Sequence, residues 1–186
     1  MNRIIFIIPV ALLSLTANSQ TNIAGKSFPN SIETEKGTLM LNGGGVREKL
    51  WIDVYIGGLY VETKSSNASD IINADKPMAV RLHIVSGMVN SDNMSKAVNE
   101  GFEKSTNKNT APIKDKIDGF IKVFSEPIEV DDIFKIVYLP GEGVKIYKND
   151  TYKSTVTGLD FKKALFGIWL GEYPISSSLK KGMLGG

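Results

Sequence analysis

The 186 residues carry 22 lysines and arginines against 20 acids, a formal net charge of +2, with no cysteine and one histidine. These numbers exclude disulfide staples, thiolate nucleophiles, cysteine-ligated metals and any multi-histidine metal site. The near balance of charge gives no support for nucleic-acid binding, and the length favours one domain with enough chain to hold a core by packing alone.

In chain order, Met1 to Arg3 supplies a short positive start, and Ile4 to Ala17 is an apolar run too short for a membrane span. Ala17 and Ser19 place small residues at the −3 and −1 positions of a processing site, so residues 1–19 are expected to be a signal peptide cleaved before Gln20. The segment has no cysteine to carry a lipid anchor. No later run is apolar enough to cross a bilayer. The expectation is an exported protein, periplasmic or secreted, without a stable membrane anchor, in which residues 20–186 form a single domain.

Thr21 to Lys36 is polar and reads as an N-terminal arm, followed by a short strand over Thr38 to Asn42. Leu50 to Glu62 alternates: Leu50, Ile52, Val54 and Ile56 point one way, Trp51, Asp53 and Tyr55 the other. Gly57 and Gly58 mark a bulge or a close backbone approach. Asn67 can cap a short helix over Ala68 to Ala74, and Pro77 opens a strand to Ser86 with Met78, Val80, Leu82 and Ile84 on one face. Asn90 or Ser91 caps the next helix, whose stripe is Met94, Ala97, Val98, Gly101 and Phe102. A second helical stripe runs through Ile113, Ile117, Phe120, Ile121 and Phe124. Asp132 to Leu139, Val144 to Lys148 and Thr151 to Val156 read as a three-strand meander. Leu159 to Leu170 is an amphipathic helix stopped by Gly171, and a last short helix runs from Ser176 through Met183. Strands, a helix pair, a meander and further helices predict an α+β fold, an antiparallel sheet covered on one face by a layer of helices.

The segment that carries chemistry runs from Leu41 to Tyr60. Gly43, Gly44 and Gly45 lead into a lone Arg47, and Tyr55 follows eight residues later. Glycines allow a sharp turn or a close approach to a ligand, and arginine offers a planar fork of donors that fits a carboxylate. With the Tyr55 hydroxyl completing the cradle, the segment reads as an anion grip at the mouth of a sheet. The competing reading of a lone loop arginine is a surface charge. The glycines lack the lysine and serine or threonine of a nucleotide loop and the spacing of a dinucleotide fingerprint. His83, beside Arg81 in mid-strand, reads as structural; Asp131 and Asp132 read as a solvated loop pair, and Trp169 as core. No cofactor or metal is implied.

The order glycine, Val46, Arg47, then Ile52 to Tyr55 and on to Tyr60 closely resembles the chalcone isomerase-like superfamily. Phe161 to Gly171, Pro174 and Leu179 to Leu184 look like the closing segment of its bacterial members. The resemblance covers most of the chain from Gly25 to Gly185 and implies the superfamily's α+β fold. In its isomerases the arginine acts with a strand threonine and with tyrosine, lysine and asparagine near a helix; in its fatty-acid-binding branch the arginine and a strand tyrosine hold the carboxylate. Arg47 matches the shared arginine and Tyr55 the tyrosine of the binding branch, across a shorter loop than in the plant proteins. Met94, Ala97 and Gly101 stand where the isomerases carry tyrosine, lysine and asparagine. The resemblance therefore implies a non-catalytic binder of a fatty acid or similar amphipathic carboxylate, with Arg47 and Tyr55 as ligand-binding residues. The alternatives are an isomerase of the intramolecular lyase type acting on a small unsaturated substrate, and a structural module that kept the fold and lost the pocket.

Overall fold

The structure is a computed structural model and describes residues 19–186; the expected signal segment lies outside them except for Ser19. Nine strands and five α-helices follow in chain order among these residues: β1 (Gln20–Ile23), β2 (Lys26–Pro29), β3 (Ser31–Thr34), β4 (Gly37–Lys49), β5 (Ile52–Val61), α1 (Ala68–Asn73), β6 (Met78–Ile84), α2 (Ser91–Ser105), α3 (Lys114–Ile121), β7 (Ile133–Leu139), β8 (Gly143–Lys148), β9 (Thr151–Val156), α4 (Leu159–Leu170) and α5 (Ser177–Met183). Short 3-10 turns flank α3 on both sides. No helix among the described residues is long and apolar enough to cross a membrane.

Strands β3 to β9 form one antiparallel sheet in sequence order, and β1 and β2 pair separately as a ribbon. The expected N-terminal arm is thus three short strands. Most of its side chains are exposed or half-buried, with only Phe28 and Ile32 going inside. A pattern with so few apolar residues gives little period to read.

The helices cover one face of the sheet, as the element order implies. Met78, Val80, Leu82 and Ile84 of β6 meet Met94, Val98 and Phe102 of α2 and Phe161, Leu165 and Ile168 of α4 in the main core. The α2 stripe is buried at the five positions its spacing predicts. A smaller core on the opposite face joins Phe28, Ile32, Leu39, Ile56 and Tyr60, so the β1–β2 ribbon and β3 cover part of what would otherwise be an open face. There the Tyr60 hydroxyl donates to the Pro29 carbonyl at 3.0 Å, and the Arg81 guanidinium lies 4.6 Å from the Phe28 ring centre.

Two bulges shape the β4–β5 hairpin, one at Asn42 and one at Val54. The extra residue at Asn42 turns its amide inward, where it donates to the carbonyls of Ser65 at 2.9 Å and Met183 at 2.7 Å and accepts from the Ser65 amide at 2.8 Å. The second bulge changes the face assignment expected from strict alternation. Val54 and Tyr55 both pack into the helix-side core, while Ile56 goes to the other. An extra residue breaks the period-2 pattern locally.

Lys162 ties α4 to α1. Its ammonium is fully buried and donates to the carbonyls of Ile71, Ile72 and Ala74 at 3.0, 2.8 and 2.7 Å. All three protons are used on carbonyls left free at a helix C-terminus.

Candidate functional site

The three glycines before Arg47 do not form a turn. They lie inside the thirteen-residue strand β4, and none has a positive φ. Their use is thickness. A Cβ on Gly43 would sit 2.3 Å from the Gly182 carbonyl oxygen of α5, and one on Gly57 would meet Met183 at 2.7 Å. On the opposite face a Cβ on Gly44 would meet Ile23 at 2.6 Å, and one on Gly58 would meet Phe28 at 2.8 Å. The glycines thin the hairpin so that α5 on one side and the ribbon on the other can approach its backbone. The reading of Gly57 and Gly58 as a close approach therefore holds, while the glycine-turn part of the anion grip is corrected.

Arg47 is accordingly a strand residue, and the loop-surface reading is also corrected. It is 9% exposed and is the direct register partner of Tyr55. Its guanidinium carbon lies 5.4 Å from the Tyr55 ring centre, within cation–π range. None of the ion pairs among the described residues involves Arg47. Tyr55 is buried and accepts a 3.0 Å hydrogen bond from the indole Nε1 of Trp169 on α4. Burial pushes the phenol pKa up, and the Arg47 charge and the Trp169 bond act against that rise.

Two cavities meet at this pair. The inner one, about 20 Å³, lies between sheet and helices against Val98, Phe120, Leu165, Ile168 and Trp169. That volume suits about one water molecule. The outer one, about 240 Å³, is bordered by Lys49, Leu50, Met88, Val89 and Asn93 and forms a vestibule beside the β4–β5 turn. Arg47, Tyr55, Met94 and Ala97 border both cavities. A buried guanidinium thus stands at the neck between a wider entrance and a narrow apolar interior.

Two of the three positions that separate this chain from the isomerase pattern, Met94 and Ala97, line that neck. Gly101 does not. It lets α2 lie close to α4, where a Cβ would come within 2.8 Å of Ile168. Trp169 is the site residue that sequence reading placed in the core. Its stripe position was right, but a buried indole N–H needs an acceptor, and that acceptor sits 114 positions away. His83 stays apart from the site, with Nε2 2.9 Å from Asp131. Among the described residues no group of acids and histidine is placed to hold a metal ion.

A seven-stranded antiparallel sheet with helices on one face is the architecture of the chalcone isomerase-like class. The chain belongs to that family, whose model, described as chalcone isomerase-like, matches residues 20–185. Its fold is similar to the crystal structure of a fatty-acid binding protein from Arabidopsis thaliana, with a TM-score of 0.67 and 22% identity, covering 86% of this chain and 92% of that one. No curated protein matches the sequence.

Proposed function

We propose that this protein is a non-catalytic binder of a fatty acid or similar amphipathic carboxylate, exported to act in the periplasm or outside the cell. The observation that carries the reading is the buried Arg47 without a carboxylate partner among the described residues, at the neck of an apolar cavity. Burying a lone guanidinium is costly, and a carboxylate seated against it would remove that cost with paired, charge-assisted hydrogen bonds. The Tyr55 oxygen already accepts from Trp169, which leaves its own proton to donate to the second carboxylate oxygen. The fatty-acid binding protein of similar fold supports a lipid ligand, and residues 1–19 support export.

The inner cavity sets a condition. At about 20 Å³ it admits a long tail only if its walls yield. Met94 is the most adaptable of them, an unbranched side chain on α2. Tail entry therefore goes with displacement of α2 from the sheet, visible as faster amide exchange in that helix while ligand loads.

The isomerase reading has weaker support. The polar groups bordering the inner cavity are Arg47, Tyr55 and the Trp169 indole, and Met94 and Ala97 add no proton donor. Conjugate addition needs a phenolate held against an enone and the developing charge stabilised. Mass spectrometry of small molecules released from the purified native protein, followed by fatty-acid titration of Arg47→Ala, separates the readings. The binding reading expects a released carboxylic acid and an affinity loss of about tenfold to a hundredfold. It fails if no lipid is released and Arg47→Ala binds added fatty acids as the parent does.

A further inference from the structure

The turn joining β4 and β5 is built of the wrong residues for its shape. Lys49 pairs with Ile52, leaving Leu50 and Trp51 as a two-residue connection. Both have positive φ, 51° and 66°. Asparagine and glycine accept that conformation readily, whereas bulky side chains pay about 1–2 kcal/mol each. The side chains are not recovering this by burial: Leu50 is 74% exposed and Trp51 92%. Strain of this kind, held at an exposed position next to a ligand cleft, points toward function.

The surroundings indicate what the tip meets. Leu50 borders the vestibule, as does the exposed Met88 across its mouth. Ile52 beside them is also exposed. Together they form an apolar rim around the entrance that leads to Arg47. The ionic side chains that line the vestibule are of one sign. Lys49 and Arg47, two apart on the same strand, border the vestibule, and no carboxylate does. Glu48 and Asp53 pair with each other at the alternate register position, on the other face of the hairpin. An exposed tryptophan is suited to the boundary between head groups and acyl chains, and a cationic entrance favours anionic head groups.

We propose that the Leu50–Trp51 tip is a membrane-contacting element that seats the entrance of the Arg47 cleft on an anionic lipid surface. This deepens the binding reading and rests on it for the purpose of the contact: the amphipathic carboxylate would pass between bilayer and cleft without crossing water. The contact itself involves only the tip. Trp51 lies outside both cavity linings, so it can be changed without altering the walls of the cleft.

The test uses protein beginning at Gln20, with vesicles of phosphatidylcholine alone and of equimolar phosphatidylcholine and phosphatidylglycerol. The parent should sediment with the mixed vesicles and show a blue shift of tryptophan emission, with weaker binding to phosphatidylcholine alone. Trp51→Ser should weaken sedimentation about tenfold, and Trp51→Phe should restore much of it. Soluble Trp51→Ser should bind fatty acid as the parent does, which shows that it is folded. Failure of the parent to bind mixed vesicles, or equal binding by Trp51→Ser, overturns the proposal. Trp51-dependent vesicle binding by a protein that takes up no fatty acid would keep the membrane contact and remove the binding reading instead.

Discussion

The indole of Trp169 donates to the phenol oxygen of Tyr55 at 3.0 Å, joining the last long helix to the second strand of the site hairpin. The bond ties the ring to α4 and fills one lone pair of the hydroxyl, whose own proton is not used by it. Trp169→Phe keeps the packing and removes the bond. The expected loss of stability is about 1 kcal/mol in urea denaturation, with fatty-acid affinity reduced several-fold. Because the effect passes through Tyr55, the double variant with Tyr55→Phe should lose less than the sum of the two singles. Strict additivity in stability and in affinity would show that the bond does not position the phenol.

Arg47 should be better for ligand than for the unliganded fold. Arg47→Met replaces an unpaired buried cation by an apolar side chain of similar length. Removing a buried charge that has no carboxylate partner spares its desolvation cost, set against loss of the contact with the Tyr55 ring. The expected outcome is an unchanged or higher melting temperature for ligand-free protein, together with loss of fatty-acid binding. A variant that is strongly destabilised and still binds would contradict both halves of this expectation.

Two glycine substitutions should move stability in opposite directions. In Gly43→Ala the new methyl meets backbone of Gly182 and Gly185 at 2.3 and 3.0 Å, and backbone cannot rotate away. A loss of about 1–3 kcal/mol is expected, with α5 amides exchanging faster. Gly119, inside α3, has no atom within 4 Å of an added Cβ, so Gly119→Ala should gain about 0.5–1 kcal/mol from helix propensity. Denaturation midpoints of the two variants check this directly.

Asp132 gives the fold an acid-sensitive tie. Its carboxylate accepts from the Glu129 amide at 2.8 Å and the Asn149 amide at 2.7 Å and pairs with Lys148 at 2.9 Å. Burial alone would raise its pKa, but these partners outweigh burial and hold it below the usual aspartate value. The unfolded chain takes up the proton at higher pH than the folded one. The contribution is therefore complete above the ordinary pKa of about 3.9 and is lost as pH falls through the lower folded value. Asp132→Asn should cost about 2 kcal/mol at neutral pH, and its deficit should shrink in acid. A deficit that stays constant down to about pH 3 would rule out the charge as its source.

Much of this organisation is legible in the sequence because the signal is local. Met78 to Ile84 alternates, and the five buried positions of α2 recur at helical spacing. Asn67 and Asn90 announce the helices they cap. Arg47 and Tyr55 are legible as a candidate anion grip from residue type and nearness in the chain, the family resemblance gives the pair its weight, and the structure makes them register partners. What stayed hidden depends on distant chain. Glycine reads the same whether it serves a positive φ or makes room for a neighbour, so Gly43 to Gly45 suggest a turn although they make room for α5 on one face and for Ile23 of the ribbon on the other. The bulge at Val54 carries no residue that marks it. Trp169 shows its apolar face in sequence, while its acceptor is set by how α4 crosses the sheet.

The docking of α5 on the glycine-thinned hairpin has a consequence for biogenesis. Strands β3 to β9 pair with sequence neighbours, so a chain emerging from synthesis or export can assemble its sheet stepwise. The neck around Arg47 and Tyr55 cannot be completed on that schedule. It needs Trp169 for its phenol, and its strands need α5 to cover them. On the proposed binding reading, a chain lacking α4 or α5 would lack groups that hold the ligand, so ligand would stabilise only chains that carry both helices.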